Sequence, residues 1–281
     1  MGNGLKKNSG VAAAEGFVKV SGSLDIVGDI AITKTRNFSQ EKAAASANAI
    51  MNSNKGVKTV LAQTSKVCGE FRLRKLTYIG GENKTRTIHK EHGCTFAVDV
   101  ETCFFSPRLS GERKRIALLV QPEETVVNMF AGVGCFSILI AKQEPSAKVY
   151  SIDINPGAVD FMKENIRVNR VIGKVNPLLG DAKTIIEESL QGCADRVLMP
   201  LPEKVLEYLP CALSALKPSG GWIHLHLFTY ATKTENPIEM VKEKVAKTLD
   251  SLGVAFEIPF ARVVRDTGPN WYQIAADVHI T

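Results

Sequence analysis

From Val126 onward, short apolar runs alternate along the chain with segments that have the spacing of amphipathic helices. Runs with the length of buried strands occupy residues 126–130, 148–154, 175–179, 196–199 and 222–227. Strands that alternate with helices form a parallel sheet with helices on both faces, because right-handed crossovers return every strand in the same direction. A final helix at 237–252 precedes two more strand-like runs, which are expected to close the sheet as an antiparallel hairpin. This alternation predicts an α/β domain over residues 112–281.

The first part of the chain has a different pattern. Two strands separated at Gly28 are expected within 24–32, and the alanine-rich stretch at 39–52 predicts a helix capped by Ser39. Further strands are expected at 57–63, 71–79 and 87–100. We therefore predict a smaller α+β module over residues 24–111. Before it, residues 1–23 are dominated by glycine, lysine, serine and alanine, which predicts a flexible lead-in.

The net charge of +6 is unevenly distributed along the chain. Residues 1–121 contain 19 Lys and Arg against 10 Asp and Glu, a net charge of +9, whereas the remainder has a net charge of −3. A basic front joined to a slightly acidic domain favours a polyanionic partner such as a nucleic acid, although charge runs also occur on ordinary solvated faces.

Composition disfavours several other classes of protein. No run reaches the roughly 18 uncharged apolar residues of a membrane span, and no signal-peptide core follows Lys7. The six cysteines form no CxxC pair, which is typical of reduced thiols in a cytoplasmic protein. His89, His92 and Cys94 lack a fourth ligand at suitable spacing, so no metal site is predicted. No protein partner is indicated, and we expect a monomer.

Two glycines follow the run at 126–130, where a strand is expected to turn into a helix. Such glycines let the backbone approach a ligand closely at the carboxyl edge of a sheet. Asp153 ends the next strand, where a carboxylate accepts from both hydroxyls of a ribose. The third glycine of the dinucleotide fingerprint is missing, so a nucleoside without a pyrophosphate fits better, and S-adenosylmethionine is the common one. The predicted cofactor-binding residues are Phe130, Gly132, Gly134, Asp153, Ile154, Asn155, Gly180, Asp181 and Ala182.

Longer segments resemble one enzyme family. The segments FAGVGCFS (130–137), IDINP (152–156), ENI (164–166) and DRVLM (195–199) are similar to the archaeal and eukaryotic tRNA (guanine-N1)-methyltransferases that act at position 37. Upstream, the segments GDIA (28–31), GEFR (69–72), TIHKE (87–91) and FSPRLSGER (105–113) resemble the middle domain of that family. The resemblance implies a class I (Rossmann-like) S-adenosylmethionine-dependent methyltransferase domain preceded by an α+β RNA-binding module. Its partner would be the anticodon stem-loop of tRNA.

Methylation of guanine N1 requires that the N1 proton is removed and that negative charge on O6 is stabilised. Glu112, at an expected helix start, is a candidate for the base, and Arg72 is a candidate donor to O6. The family resemblance implies the same two roles. On the residues alone, the simpler interpretation of Glu112 is a first-turn carboxylate paired with Arg113 or Arg115. Arg72 would then belong to a solvated basic face.

Further basic residues are candidates for holding the RNA. Arg108 and Arg113 flank Glu112 and resemble family residues that contact phosphates or orient the carboxylate, although structural ion pairs explain them equally well. The basic stretch of Lys84, Arg86 and Lys90 is suited to backbone phosphates, which position an RNA without reading its sequence.

Two positions depart from the family pattern. Pro200-Leu201-Pro202 stands after the fourth strand, where the family usually has Asn-Leu-Pro to hold the target base. The carbonyl of Pro200 still accepts a hydrogen bond from guanine, but the side-chain donor is lost, so Pro200 and Pro202 are predicted substrate contacts in altered form. Asn128 stands where the family typically has Asp near the glycines.

Other activities remain open at this point. A wybutosine-pathway aminocarboxypropyl transferase shares the architecture and the cofactor, but Asp153 and Phe136 favour methyl transfer. A methyltransferase that also accepts a tricyclic wybutosine precursor is a second alternative. A non-catalytic RNA-binding module is disfavoured by the presence of both Glu112 and Arg72, and a small-molecule methyltransferase by the basic front module.

Overall fold

The computed structural model describes residues 24–34 and 39–281. Its first part combines a four-stranded sheet, one helix and a separate hairpin. The sheet contains, in spatial order, β1 (Leu24–Val27), β2 (Ile30–Lys34), β3 (Thr59–Gln63) and β4 (Leu76–Gly81), and α1 (Gln40–Ser53) connects β2 to β3. The hairpin consists of the antiparallel strands β5 (Arg86–Glu91) and β6 (Cys94–Asp99).

Local signals in this first part explain its turns. Gly28 makes the turn between β1 and β2 at φ +57°, and a Cβ atom there would lie 2.2 Å from Thr87 Oγ1, so a larger residue does not fit. Ser39 accepts a hydrogen bond from the Lys42 amide and caps α1, as predicted. The strand predicted at 71–79 is wrong over its first half, because Cys68 and Leu73 pair to close a tight loop and β4 begins only at Leu76.

The second part is the predicted α/β domain. After α2 (Ser110–Ala117), strands alternate with helices as β7 (Thr125–Asn128), α3 (Cys135–Gln143), β8 (Lys148–Asp153), α4 (Pro156–Val168), β9 (Val175–Leu179), α5 (Ala182–Ile185), β10 (Arg196–Met199), α6 (Val205–Ala215) and β11 (Gly221–Tyr230). The chain then forms α7 (Pro237–Ser251) and the antiparallel hairpin of β12 (Phe256–Gly268) and β13 (Trp271–Ile280). This architecture confirms the predicted fold class; the short α5 was not predicted.

The order of the strands determines where a ligand is expected. The sheet reads β12-β13-β11-β10-β7-β8-β9, and β7 pairs in parallel with both β8 and β10. The chain therefore starts at the central strand β7, adds β8 and β9 on one side of it, and then adds β10 and the later strands on the other side. Connections diverge where the direction reverses, which leaves a crevice at the carboxyl ends of the strands. Here that point lies between β7 and β10.

One of the hydrophobic core clusters extends across both parts. A continuous buried cluster includes Val27 of β1, Phe96 of β6 and Ile138 of α3. Asn165 of α4 is fully buried and joins the parts through its side chain, which accepts from the Ala97 amide at 2.7 Å and donates to the Ala97 carbonyl at 3.1 Å. These bonds satisfy the backbone of β6 on the side that has no neighbouring strand. The hairpin is thus fixed against the α/β domain.

The sequence also predicted domain boundaries, the absence of a membrane span and the absence of a metal site. The predicted division between 24–111 and 112–281 falls inside α2 and stays a prediction, and the lead-in at 1–23 lies outside the described residues. In the part of the chain that the structure describes, no helix is long and apolar enough to cross a membrane. Over the same ranges, no cluster of three or more His, Cys, Asp or Glu side chains is arranged to bind a metal ion.

Candidate active site

A cavity of about 390 Å³ opens at the carboxyl edge of the sheet. Its walls include residues 129–133, 153–155 and 180–182, which follow three neighbouring strands, and residues 67–72 from the loop of the first part. Of the nine predicted cofactor-binding residues, all but Gly134 line this cavity. The structure thus brings the predicted cofactor residues together, and their binding role stays a prediction.

Asp153 connects two of these walls. One carboxylate oxygen accepts from the Gly132 amide at 2.6 Å and the other accepts from the Asn155 amide at 2.9 Å. Burial raises the pKa of Asp153, and the two backbone hydrogen bonds oppose that rise. Each oxygen keeps a further lone pair, so the side chain is able to accept hydrogen bonds from a ligand as well.

Gly132 and Gly134, in the turn after β7, are required for different reasons. Gly132 has φ +57° and a Cβ atom there would meet only Phe104 O at 3.8 Å, so it is the backbone conformation that favours glycine. Gly134 has φ +90° and caps α3, and a Cβ atom there would lie 2.8 Å from Met162 Cγ. Gly134 therefore serves the packing of α3 against α4 behind the cavity wall.

A second carboxylate organises the end of β9. Asp181 caps α5 by accepting from the amides of Lys183 and Thr184, and its other oxygen accepts from the Tyr208 hydroxyl at 2.6 Å. Desolvation and the Asp181 carboxylate both raise the pKa of Tyr208, which keeps the hydroxyl protonated. The Tyr208 ring contacts Phe130 edge to face, with ring centroids 5.3 Å apart. This pair forms an aromatic wall of the cavity.

Arg72, in the loop of the first part, also lines this cavity. Its guanidinium lies 4.6 Å from the centroid of the Phe104 ring and donates from Nη2 to Glu203 Oε1 at 2.8 Å. Glu203 follows Pro202 in the turn before α6 and also lines the cavity. The structure thus places the candidate donor to O6 at the pocket, paired with a carboxylate that sequence reasoning did not single out.

Glu112 is not among the residues that line the cavity. Its side chain is fully buried, and its two oxygens are paired with Arg115 at 2.9 Å and with Arg262 of β12. The pairing with Arg115 is the one expected for a structural first-turn carboxylate. In this arrangement the sequence-based assignment of Glu112 as the base requires the carboxylate to leave both guanidiniums, and the assignment stays a prediction.

The two arginines that flank Glu112 in sequence also form ion pairs. Arg113 lines the cavity, but its guanidinium is buried against Glu91, with contacts of 2.5 and 2.7 Å, and against the Ser106 carbonyl. Burial would raise the pKa of Glu91, but hydrogen bonds from His89 and Arg113 lower it to about 2. Arg108 pairs with Asp25 at 2.6 Å and does not line the cavity. Both arginines therefore have structural partners, as the ion-pair interpretation expects.

The predicted RNA-binding cations share a separate surface. Lys84, Arg86 and Lys90 line one shallow concavity on β5 and the residues before it. Lys84 is paired with Asp29 at 2.7 Å and Arg86 with Glu164 at 2.8 Å, whereas Lys90 is exposed. The cluster predicted from the sequence is present, but its positive charge is partly balanced by neighbouring carboxylates.

The proline segment after β10 lies at the cavity in part. Pro200 lines it, whereas Pro202 is buried and is not among the lining residues. Sequence reasoning did not single out several residues that line the cavity, because nothing in the sequence marks them. Phe104 precedes the family-like segment at 105–113, and the other missed residues are apolar or lie beside the prolines. These residues are Phe104, Phe105, Met129, Leu201, Glu203, Lys204 and Tyr208.

We predict that Glu112→Gln destabilises the fold. The change removes a buried charge that faces two guanidiniums, so the free energy of unfolding should fall by about 1–3 kcal/mol. Urea denaturation followed by circular dichroism measures this, with the exposed Glu243→Gln as the matched control that should unfold like the parent. Unchanged stability, together with a methyl-transfer rate lowered by about 10²–10⁴, would instead support Glu112 as the base.

Comparison with known proteins agrees with this geometry. The family model described as the TRM5/TYW2 methyltransferase domain matches residues 87–252, and the TYW2 N-terminal domain matches residues 10–85. The tRNA (guanine(37)-N(1))-methyltransferase Trm5b of Pyrococcus abyssi is 39% identical over 92% of this chain and 75% of its own. The tRNA 4-demethylwyosine(37)-methyltransferase Taw21 of Saccharolobus solfataricus is 35% identical over 91% of this chain and 92% of its own.

A solved structure extends the likeness to both parts of the fold. The complex of aTrm5 with tRNALeu matches with a TM-score of 0.78 at 34% identity, over 92% of this chain and 72% of that one. The chain belongs to the TRM5/TYW2 methyltransferase family.

Proposed function

We propose that this protein transfers a methyl group from S-adenosylmethionine to N1 of guanine 37 in tRNA, next to the anticodon. The observation that carries the proposal is one cavity with two kinds of wall. The strand-end wall around Asp153 suits a nucleoside cofactor, and the same cavity also contains the charged pair of Arg72 and Glu203. The activity named for the Trm5b relative and the tRNA complex of a Trm5 structure support the same conclusion.

The residues at the strand ends fit S-adenosylmethionine, the cofactor that members of this family use. Asp153 would accept from the ribose hydroxyls on the lone pairs that its backbone bonds leave free. Phe130 and Tyr208 would cover the adenine with an apolar wall, and Gly132 leaves the space above the turn open. When bound, the cofactor supplies an electrophilic methyl group on a positively charged sulfur.

The part of the cavity around Arg72 would hold the guanine. Arg72 would donate to O6 and stabilise the charge that develops there as N1 loses its proton. Pro200 would accept through its carbonyl in place of the amide side chain that the family usually has. Arg113 would act indirectly, because it fixes the Ser106 carbonyl and the segment that carries Phe104 and Phe105 along the cavity. The role of Glu112 as the base remains a prediction from the sequence, because it requires the carboxylate to leave Arg115 and Arg262.

Transfer to defined RNAs tests the proposed function. The protein is incubated with S-adenosylmethionine labelled in the methyl group and with unmodified tRNA transcripts that carry G or A at position 37. We expect label in the G37 transcript and none in the A37 transcript, because adenine presents an amino donor where guanine presents O6, so Arg72 would face a donor instead of an acceptor. Equal labelling of both transcripts, or label in neither, would contradict the proposal.

A second candidate is methylation of a tricyclic guanine derivative at the same position. It is favoured by the 35% identity with Taw21, a methyltransferase named for 4-demethylwyosine. Both activities would use the same cavity and cofactor. tRNA that carries 4-demethylwyosine, presented beside the G37 transcript, distinguishes them by which substrate gains the methyl group.

We further propose that the protein acts as a monomer in the cytoplasm. All six cysteines lie in described parts of the chain and are free thiols, four of them buried, which suits a reducing compartment. Sedimentation velocity tests the oligomeric state, and fractionation of the source cells tests the location.

We predict that Asp153→Asn weakens S-adenosylmethionine binding at least tenfold. Hydrogen bonds to a charged acceptor contribute roughly 1.5–3 kcal/mol each, and Asn retains one acceptor for the backbone while losing the charge. Calorimetric titration measures the affinity. Asp160→Asn, an exposed carboxylate at the start of α4, is the matched control. Parent-like affinity in Asp153→Asn would remove this carboxylate from the cofactor site.

We predict that replacing Lys84, Arg86 and Lys90 together by Gln weakens tRNA binding and leaves cofactor affinity unchanged. Each phosphate contact that is lost should lower the log–log salt slope by about 0.7–0.9. Filter binding across a salt series measures the slope, and the exposed Lys142, Lys244 and Lys247 replaced by Gln provide a control with the same change in charge. An unchanged slope would mean that the RNA contacts another surface.

A further inference from the structure

A pair of exposed aromatic side chains lies where β11 ends and β13 begins. Tyr230 is the last residue of β11 and Trp271 the first of β13, and their rings meet edge to face with centroids 5.7 Å apart. Tyr230 is 46% exposed and Trp271 is 48% exposed. Large aromatic side chains are on average more deeply buried than this, so the pair is a candidate contact surface. We call Tyr230 and Trp271 the aromatic platform.

The aromatic platform projects beyond the carboxyl edge of the parallel strands, where the cavity opens. The pairing of β10 with β11 stops at Met199 and Leu225, and β11 continues for five more residues to Tyr230. At about 3.3 Å per residue, this extension reaches roughly 16 Å past the end of β10. Pro200, which follows Met199 directly, lines the cavity. The platform and the cavity therefore lie on the same edge of the sheet.

The platform also shares a face of the extension with side chains that reach the cavity walls. Cross-strand partners point to one face of a sheet, and so do residues two apart along a strand. Gln273, two residues after Trp271, is the cross-strand partner of Arg265. Arg265 donates from Nε to Gln273 at 2.7 Å and from Nη1 to Ser106 Oγ at 3.1 Å, and Ser106 lines the cavity. The platform is thus on the face of the extension that contacts the cavity segment.

The surroundings of Arg265 carry an excess of positive charge. Among the described residues it forms no ion pair with a carboxylate, because its side-chain partners are a neutral amide and a hydroxyl. Burial lowers the pKa of Arg265, and the charge of Arg108 lowers it further. Arg72 and Arg74 act in the same direction, and Asp25 opposes them. Positive charge beside an aromatic surface suits a polyanion with flat rings better than an apolar partner.

Backbone hydrogen bonds hold the tip of the extension in place. Asn270, in the turn before Trp271, has φ +60°, and its carbonyl accepts from the Ala231 amide at 3.0 Å. The Thr267 hydroxyl donates to the Trp271 carbonyl at 3.3 Å. The end of β11 and the turn between β12 and β13 are therefore tied together on both sides of the platform. A surface that is ordered in advance loses less entropy when a ligand stacks on it.

Unpaired nucleotides combine the properties that this surface favours. A base of any identity stacks on an aromatic ring, and its phosphate is attracted to neighbouring cations. When one base of an RNA loop enters the cavity, its neighbours in the strand stay outside, on the edge where the extension stands. A second copy of this chain fits less well, because its net charge of +6 would bring more positive charge to the surface.

We propose that the aromatic platform stacks on unpaired nucleotides next to the base that enters the cavity. This inference rests on the proposed function, so the nucleotides are those that flank position 37 in the anticodon loop. Trp271 and Tyr230 add affinity and hold the loop beside the cavity without reading its sequence. Arg265 attracts the adjacent phosphate.

The test combines a change in the protein with a change in the RNA. Filter binding measures the affinity of the parent and of Trp271→Ala for the unmodified G37 tRNA. The same pair is then measured with two synthetic tRNAs, one without the base at position 36 and one without the base at position 38. We expect Trp271→Ala to weaken binding of the intact tRNA by roughly 5- to 100-fold. Once the stacked base is absent, the substitution should change the affinity by less than about twofold, because the ring has no base to contact.

Matched variants separate stacking from other effects. Trp271→Phe keeps an aromatic ring and should stay within about threefold of the parent, whereas Trp271→Leu is apolar without a π face and should bind as weakly as Trp271→Ala. Ile172→Ala truncates an exposed (70%) apolar side chain before β9 and should bind like the parent. Tyr230→Ala repeats the cycle from the neighbouring ring, which keeps the test decisive if melting curves show that a Trp271 variant does not fold.

Each contrary outcome has its own meaning. Parent-like affinity in both alanine variants, a loss of equal size with all three tRNAs, or equal binding by Trp271→Leu and Trp271→Phe would overturn the platform as a stacking surface, with the proposed methyl transfer intact. A changed sedimentation coefficient of the free protein in Trp271→Ala, with tRNA affinity unchanged, would overturn it in favour of a contact between copies. Lack of methyl transfer to the G37 transcript by the parent would overturn the proposed function itself, and this inference with it.

Discussion

The Asp153 carboxylate is the contact on which the site depends, because it joins the glycine turn after β7 to the end of β8. Both of its oxygens accept backbone amides, from Gly132 and from Asn155. Asn155 in turn caps α4 and donates to the Thr102 carbonyl at 2.8 Å. One side chain at the end of a strand therefore sets the shape of this wall of the cavity and links it to the segment that leads into Phe104 and Phe105.

Buried ion pairs connect the first part of the chain to the α/β domain. Arg113 joins α2 to Glu91 of β5, and Arg115 joins the same helix to Asp277 of β13 at 2.5 Å. Burial would raise the pKa of Asp277, but His224 and Arg115 lower it well below its usual range. Breaking one partner of such pairs is costly because the other charge stays desolvated. The short helix α2 thus fixes strand β5 of the small module against the seven-stranded sheet.

Much of the fold could be predicted from the sequence, because strands, helices and turns are marked by patterns of neighbouring residues. The alternation from Val126, the cap at Ser39 and the turn at Gly28 each depend on a few neighbouring residues and on backbone geometry. The strand-end wall of the cavity was predictable for the same reason, because parallel strands end at one edge of the sheet. Pairings between distant residues were not readable. Glu112 meets Arg262 across 150 positions and Arg72 meets Glu203 across 131, and no periodicity marks either contact.

The measurement that tests the central claim most directly is the identity and position of the group added to tRNA. The product of a reaction with an unmodified G37 transcript is digested with ribonuclease and its anticodon-loop fragment analysed by mass spectrometry, with a primer-extension assay on the intact RNA. The account predicts a gain of one methyl group in the fragment with G37 and a primer-extension stop at that base, because a methyl group on N1 blocks Watson–Crick pairing. The mass of an aminocarboxypropyl group, or a methyl group on another nucleotide, would contradict it.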